Sequence, residues 1–335
     1  MATISDVAKK AKVSVATVSR VLNSSEIVSK EKRELVQKAI HELQYTPTTY
    51  SHKQKELGNK AILVICSTVI DPIITGIQDA AEAAGYSVIL SYVGSRQKNV
   101  ASSSILQNDL IDGVIFANLF FFNDELMEIS KQFPTVQCGE YFPIPNTFFV
   151  ATQDENSAFQ MVSYLLNSGR KRIGLISLAD LDNASHHFAD ARENGYFRAL
   201  KAFNISYDQE LIQRGDLSNE FGAEAALRFL QLKEPPDAIF SIQDTPAIGC
   251  LKALQSSGIK IPEDICVAGF DNTDLSEICT PSLTTVAQPY YEMGKESVRT
   301  LLSVINNEIS LGRHILLDAE LIIRDSTIKM HTAGQ

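Results

Sequence analysis

A chain of 335 residues with 44% hydrophobic and 21% charged residues can bury large cores, and its length fits two or three packed units. It contains no apolar run near the ~20 residues that span a bilayer and no secretion-signal core after its N-terminal charges, and its five cysteines lack a C-x-x-C, so a cytoplasmic protein with no membrane partner is expected. The net charge of −10 is unevenly placed: residues 1–60 hold eleven Lys/Arg against six Asp/Glu, a net of +5, and the remainder nets −15, so only the head is expected to meet a polyanion.

The first helix is marked by Thr3 and Asp6 at capping-box spacing and by Val7, Ala8 and Ala11 on one apolar face. After a break at Lys12-Val13, Ser14 is placed to cap a second helix running through Leu22. Val18, Val21 and Leu22 turn inward there, with Val15, Ala16, Ser19 and Arg20 on or near the opposite face. A third helix starts at the N-cap Ser29, with Leu35, Val36, Ala39, Ile40 and Leu43 at the 3.6 period. Three short helices with a tight first turn fit a helix-turn-helix, whose second helix offers its N-terminal residues to base edges. The hydroxyls of Ser14, Thr17 and Ser19 suit phosphates, and the guanidinium of Arg20 suits guanine O6 and N7. The pattern describes a plain three-helix packing module equally well.

A polar, charged stretch, YTPTTYSHKQKELGNK at 45–60, separates this head from a body with one repeating grammar. AILVIC leads to IITGIQDAAEAAG and then YSVILSYV; GVIFAN leads to NDELMEISKQF and then TVQCG. Later helices precede KRIGLIS and ICVAGFD, and Gly85, Gly169 and Gly258 stand where helices end. Alternating strand and helix means an α/β body with two doubly wound parallel sheets, and a ligand cleft is expected at the carboxyl ends of their strands.

Enzyme motifs are missing: G-x-G-x-x-G after a strand, a P-loop, G-x-S-x-G and H-E-x-x-H. His186 and His187 are adjacent and point apart, with no ligand-spaced partner, so no metal and no cofactor are expected. A binding module is favoured over an enzyme.

The head, TISDVAKKAKVSVATVSRVLN with Y-T-P some two dozen residues on, resembles the LacI/GalR family of transcriptional regulators. The body is similar to that family's periplasmic-binding-protein-like effector domain. The resemblance implies a small all-α helix-turn-helix domain at 1–46, a hinge at 47–60, an effector-binding and dimerisation domain at 61–327, and a tail at 328–335. Within the body it implies one subdomain of about 61–153 with 287–311 and another of about 155–284 with 313–327. It implies base contacts from Val15, Ala16 and Arg20, and backbone contacts from Thr3, Ser14, Thr17, Ser19, Asn23 and Ser29. Effector contacts are implied for Arg192 and Asp271, and more weakly for Asp244, Phe221 and Gln288.

The implied partners are double-stranded operator DNA, a second copy in a homodimer, and a small-molecule effector. The segments FDNTDLSEICTPSLTTVAQPYYEMGKES and LLDAELIIRDST are most similar to the cytidine-repressor branch, which implies a nucleoside effector and the cAMP receptor protein as a neighbour on DNA. The family at large implies a sugar instead. A cytosolic solute-binding protein or an enzyme with a vestigial head is the remaining alternative. Three departures stand out. Lys12 replaces a common Gly, and about four residues are missing between Asp71-Pro72 and Gly76-Ile77. In the hinge, Thr48, Ser51, His52 and Gln54 replace the Asn, Ala, Arg and Leu of the minor-groove wedge, which predicts a weakly ordered, electrostatic hinge.

Overall fold

The structure is a computed structural model that describes residues 4–22, 29–43, 60–93, 106, 110–118, 124–142, 144, 147–179, 187–308 and 314–328. Its contacts divide the chain into residues 1–60 and 61–335. Thr3, Asn23, the hinge residues Thr48, Ser51, His52 and Gln54, and tail residues 329–335 lie outside the described residues.

In the first unit, α1 (Ile4–Ala11), α2 (Val15–Leu22) and α3 (Lys30–Glu42) pack through small and β-branched side chains. Val7, Ala8 and Ala11 meet Val18 and Val21 of α2 and Val36 and Ala39 of α3, all buried. Helix α1 ends where Lys12 takes φ 52. Lys12 N–H donates to the Lys9 carbonyl at 3.3 Å and Val13 N–H to the Ala8 carbonyl at 3.0 Å, the paired closure that ordinarily employs Gly. A side chain in that left-handed turn costs about 1 kcal/mol. Ser14 then caps α2, its Oγ accepting from Thr17 N–H at 3.2 Å. Leu35, which the 3.6 period puts on the apolar side of α3, is 48% exposed; Val36 and Ala39 form the stripe that three short helices can cover, and Leu35 lies beyond its edge.

The body begins with AILVIC as β1 (Ala61–Cys66), buried at every position because it runs between two strands and is covered on both faces. With β2 (Ser87–Tyr92), β3 (Gly113–Ala117), β4 (Thr135–Cys138), β5 (Phe148–Thr152) and β11 (His314–Leu317) it forms one parallel sheet, ordered β11-β5-β4-β3-β1-β2. Alternate β1 residues serve opposite layers. Ile62, Val64 and Cys66 pack with α4 (Asp71–Ala83) and α11 (Tyr290–Ile305), while Leu63 and Ile65 pack with α5 (Asp124–Gln132). Gly76 faces the Tyr291 carbonyl and Gly294 the Ile73 carbonyl, so α4 and α11 touch backbone to backbone.

A second parallel sheet, ordered β7-β6-β8-β9, contains β6 (Ile173–Leu178), β7 (Ile212–Gly215), β8 (Ala238–Ser241) and β9 (Cys266–Ala268). Helices α6 (Asp154–Asn167) and α7 (His187–Ala202) cover one face, and α8 (Asn219–Leu230) and α9 (Asp244–Ser256) the other, with the short α10 (Asp274–Ile278) following β9. Gly85, Gly169 and Gly258 have φ of 75, 95 and 79 just past α4, α6 and α9.

The chain passes between the sheets three times: from β5 into α6, from β10 (Thr285–Ala287) into α11, and from β11 into β12 (Glu320–Ile322), which pairs antiparallel with β10. One sequence expectation is corrected here. Residues 314–317 belong to the first half and not, with the rest of 313–327, to the second: His314 lies opposite Phe149 in a parallel pair. The HILL pattern explains it, since Ile315 and Leu317 reach the first core while Leu316 stays exposed, a period-2 edge strand.

Candidate functional site

The start of α2 displays Ser14 and Val15 on the surface, Val15 being 44% exposed, with Thr17 half-buried. Ser29 is exposed immediately before α3. The side chains of Ala16, Ser19 and Arg20 are outside the described set, though all three lie within α2. Small and hydroxylated residues at the first turn of a second helix leave room for close approach to a groove.

In the body, parallel strands deliver their carboxyl ends to one edge of each sheet, and a cleft of about 500 Å³ opens there. From the first half come Ile70, Asp71, Pro72 and Glu140, with α4 starting at the cleft wall. From the second half come Phe188, Arg192, Asp271 and Asn272. The crossing segments contribute Thr152, Asp154, Gln288 and Tyr290.

Arg192, on the buried face of α7, is 3% exposed. Its Nε donates to Asp154 Oδ1 at 2.9 Å, and one terminal nitrogen donates to the Ile242 carbonyl at 2.7 Å and to Asp271 Oδ1 at 3.2 Å. The guanidinium lies over the Phe270 ring, 3.7 Å from its centre. Asp271 also accepts from Gln288 Nε2 at 2.7 Å, and Gln288 Oε1 accepts from Thr152 Oγ1 at 2.8 Å. One connected network therefore ties α7, the loop after β9 and two crossings. Burial raises the Asp271 carboxyl, opposed by the neighbouring Arg192.

Asp271 has φ 115 and Asn272 φ 56, conformations that strain a side-chain-bearing residue. Asp244 holds them. It is fully buried, and its carboxylate accepts from Thr273 N–H at 2.7 Å, Thr273 Oγ1 at 3.2 Å and Thr285 Oγ1 at 2.6 Å. Burial, with the charge of Asp271, pushes its pKa up to about 7. Across the cleft, Glu140 of the first half accepts from the His187 and Phe188 amides at the start of α7, at 2.7 and 3.1 Å, and burial pushes its pKa up to about 7 as well.

The fold thus brings Arg192, Asp271 and Gln288 together. It does not bring Asp244 or Phe221 to the cleft surface. Asp244 sits beneath the loop that it braces, and Phe221 packs its ring against Gly215 in the core under α8. The family resemblance implies both as effector contacts, but which face of α8 or α9 looks into the cleft depends on how each helix lies on its sheet. Asp154, Glu140, Phe188 and Tyr290 were not singled out from the sequence. Asp154 had a readable signal, an acidic residue opening a helix straight after a strand, as Asp71 and Asp244 do.

Residues 3–48 match the family described as bacterial regulatory proteins, lacI family, and residues 162–327 match the periplasmic binding protein-like domain. Over 332 residues the chain is 36% identical to the HTH-type transcriptional repressor CytR of Escherichia coli K12, covering 97% of this chain and 96% of that protein. The chain belongs to the lacI family. Among solved structures, this lacI-family chain is similar to the transcriptional regulator CelR–cellobiose complex, with TM-score 0.73, 27% identity and 97% and 100% of the two chains covered. It is also similar to the lac repressor dimer bound to operator and the anti-inducer ONPF, with TM-score 0.69, 26% identity and 98% and 99% covered.

As a lacI-family protein it is a transcriptional repressor and not an enzyme, built from a DNA-binding domain and an effector-binding domain. Repressors of this family bind operator DNA, dimerise and take small-molecule effectors. Among the described residues, no group of three or more His, Cys, Asp or Glu is placed to hold a metal ion, and no helix is long and apolar enough to cross a membrane.

Proposed function

We propose that this repressor binds a two-fold operator as a dimer through α2, and that a nucleoside in the cleft sets its DNA affinity. The observation that carries this reading is the convergence of Arg192, Asp271 and Gln288 beside the rings of Phe188 and Tyr290. Charged donors and acceptors so placed suit a vicinal diol, and an aromatic ring suits the face of a base. Similarity to CytR supports the nucleoside. Similarity to a cellobiose complex favours a second reading, in which the effector is a sugar. Thermal shift with parallel panels of nucleosides and of pentoses and hexoses separates the two: stabilisation by sugars with none by any nucleoside refutes the first.

On DNA, Val15, Ala16 and Arg20 read bases, and Thr3, Ser14, Thr17, Ser19, Asn23 and Ser29 hold the backbone in this proposal. Effector binding shifts operator affinity by a coupling of about 1–3 kcal/mol. Thr48, Ser51, His52 and Gln54 form an electrostatic hinge, so operators with a few base pairs inserted between half-sites retain binding; a single sharp spacing optimum refutes that. The cAMP receptor protein is a DNA-bound neighbour in this scheme, and footprinting of both proteins on one promoter fragment tests it through mutual enhancement of protection.

A further inference from the structure

The cleft is rimmed by helix N-termini, the places where a fold of this kind ordinarily collects anions, because unpaired N–H groups and the helix dipole favour negative charge there. In this chain those helix ends carry acidic residues of their own. Asp71 stands in the first turn of α4 and Asp154 in that of α6, both lining the cleft, while Asp244 in the first turn of α9 is buried behind it. The first amides of α7 are bound by the carboxylate of Glu140, delivered from the other half of the body. A fifth carboxylate, Asp271, shares Arg192 with Asp154. Among the described side chains that line the cleft, Arg192 is the one Lys or Arg, and its charge is already matched by two carboxylates at 2.9 and 3.2 Å.

We infer that the cleft rejects anionic effectors: it takes a donor-rich, non-phosphorylated polyol, whose hydroxyl or amino hydrogens meet Asp71, Asp154 and Asp271, and discriminates against the phosphorylated form of the same molecule. The inference rests on the cleft being the effector site, as proposed above, and holds for nucleoside and sugar alike. A phosphate enters a site whose charge is already negative, meets acidic residues at its helix ends, and finds no unmatched cation among the described side chains. At an effective dielectric of about 20, like unit charges about 7 Å apart weaken binding roughly 50-fold. The regulator therefore senses its ligand upstream of phosphoryl transfer, and a kinase acting on that ligand would remove the signal.

The test is isothermal titration and thermal shift on the full-length protein with matched pairs: cytidine and adenosine against their 5′-monophosphates, and ribose, glucose and glucosamine against their terminal phosphates. At least one unphosphorylated member is expected to bind, at least ten-fold more tightly than its phosphate. Equal or tighter binding of the phosphorylated member of any binding pair overturns the inference, and so does a panel in which no unphosphorylated member binds. Preference for glucosamine over every nucleoside sinks the nucleoside reading and leaves the charge rule standing; cytidine and its monophosphate binding alike do the reverse. Asp71→Asn, an exposed substitution at the cleft mouth, is expected to narrow the discrimination about three-fold or more; Asp154→Asn narrows it further where the variant remains folded by circular dichroism. Unchanged discrimination in a folded Asp71→Asn overturns the role given to that carboxylate and with it the charge rule for the cleft.

Discussion

Replacing Arg192 by Met keeps much of the side-chain volume and removes the charge that holds the cleft floor together. Asp154 and Asp271, with side chains 10% and 13% exposed, then face each other across a site with no counter-ion, and the Ile242 carbonyl loses its 2.7 Å donor. Breaking one member of a buried ion pair costs about 3–5 kcal/mol, against a total stability of about 5–15 kcal/mol for a folded domain. The chain has no Trp, so the unfolding is best followed in urea by far-ultraviolet circular dichroism. The pH dependence is diagnostic. Burial already raises Asp271 above its unfolded value, and Arg192 restrains that rise. A carboxyl whose folded pKa is raised favours the fold below its unfolded pKa of about 4 and loses that contribution as pH increases. Without Arg192 the restraint on the Asp271 carboxyl is lost, so the gap between wild type and Arg192→Met should widen from pH 4.5 to pH 7.5. Converting both acids to Asn in the same background should recover most of the loss at pH 7.5. A deficit below about 1 kcal/mol at pH 7, or one of equal size at both pH values, refutes the account of a charge-balanced floor.

Glu140 and Asp244, both held near pKa 7 in the fold, make the native state less favourable as pH rises from about 4 to 7; the stability of wild type relative to Glu140→Gln should fall by up to about 1.4 kcal/mol per pH unit there, read from urea midpoints at matched pH. Lys12→Gly should stabilise the head by about 1 kcal/mol by relieving the left-handed turn after α1, seen as slower amide exchange in residues 4–22. Gly294→Ala places a methyl against the Ile73 carbonyl and should destabilise the body by about 1–3 kcal/mol, whereas Gly169→Ala, in open space, should report only the strain of its positive φ. Arg20→Ala should lose operator preference, by about 1–3 kcal/mol in mobility shifts, while keeping non-specific, salt-sensitive binding.

Local chemistry was enough to read the head's helices, the break at Lys12, the cap at Ser14, the β–α alternation and the glycines ending α4, α6 and α9. Each is set by neighbours within a few residues, and a 3.6 or 2.0 period repeats along the segment that it describes. Leu35 shows the limit, because a period marks an apolar side but not how wide a stripe the partners cover. The cleft was legible as a location and, in Arg192, Asp271 and Gln288, partly in content. Whether an acid at a strand end faces ligand or braces a loop depends on packing: Asp244 and Asp271 carry the same carboxylate, and only the fold buries one beneath Thr273 and Thr285 and leaves the other on the cleft floor. The transfer of 314–317 to the first sheet, the reach of Glu140 to the start of α7, and the sharing of Arg192 by residues 38 and 79 positions away were likewise decided by tertiary structure. Sequence periodicity reports which side of an element avoids water, whereas the partner of a buried charge is chosen by three-dimensional proximity, and no local pattern encodes that.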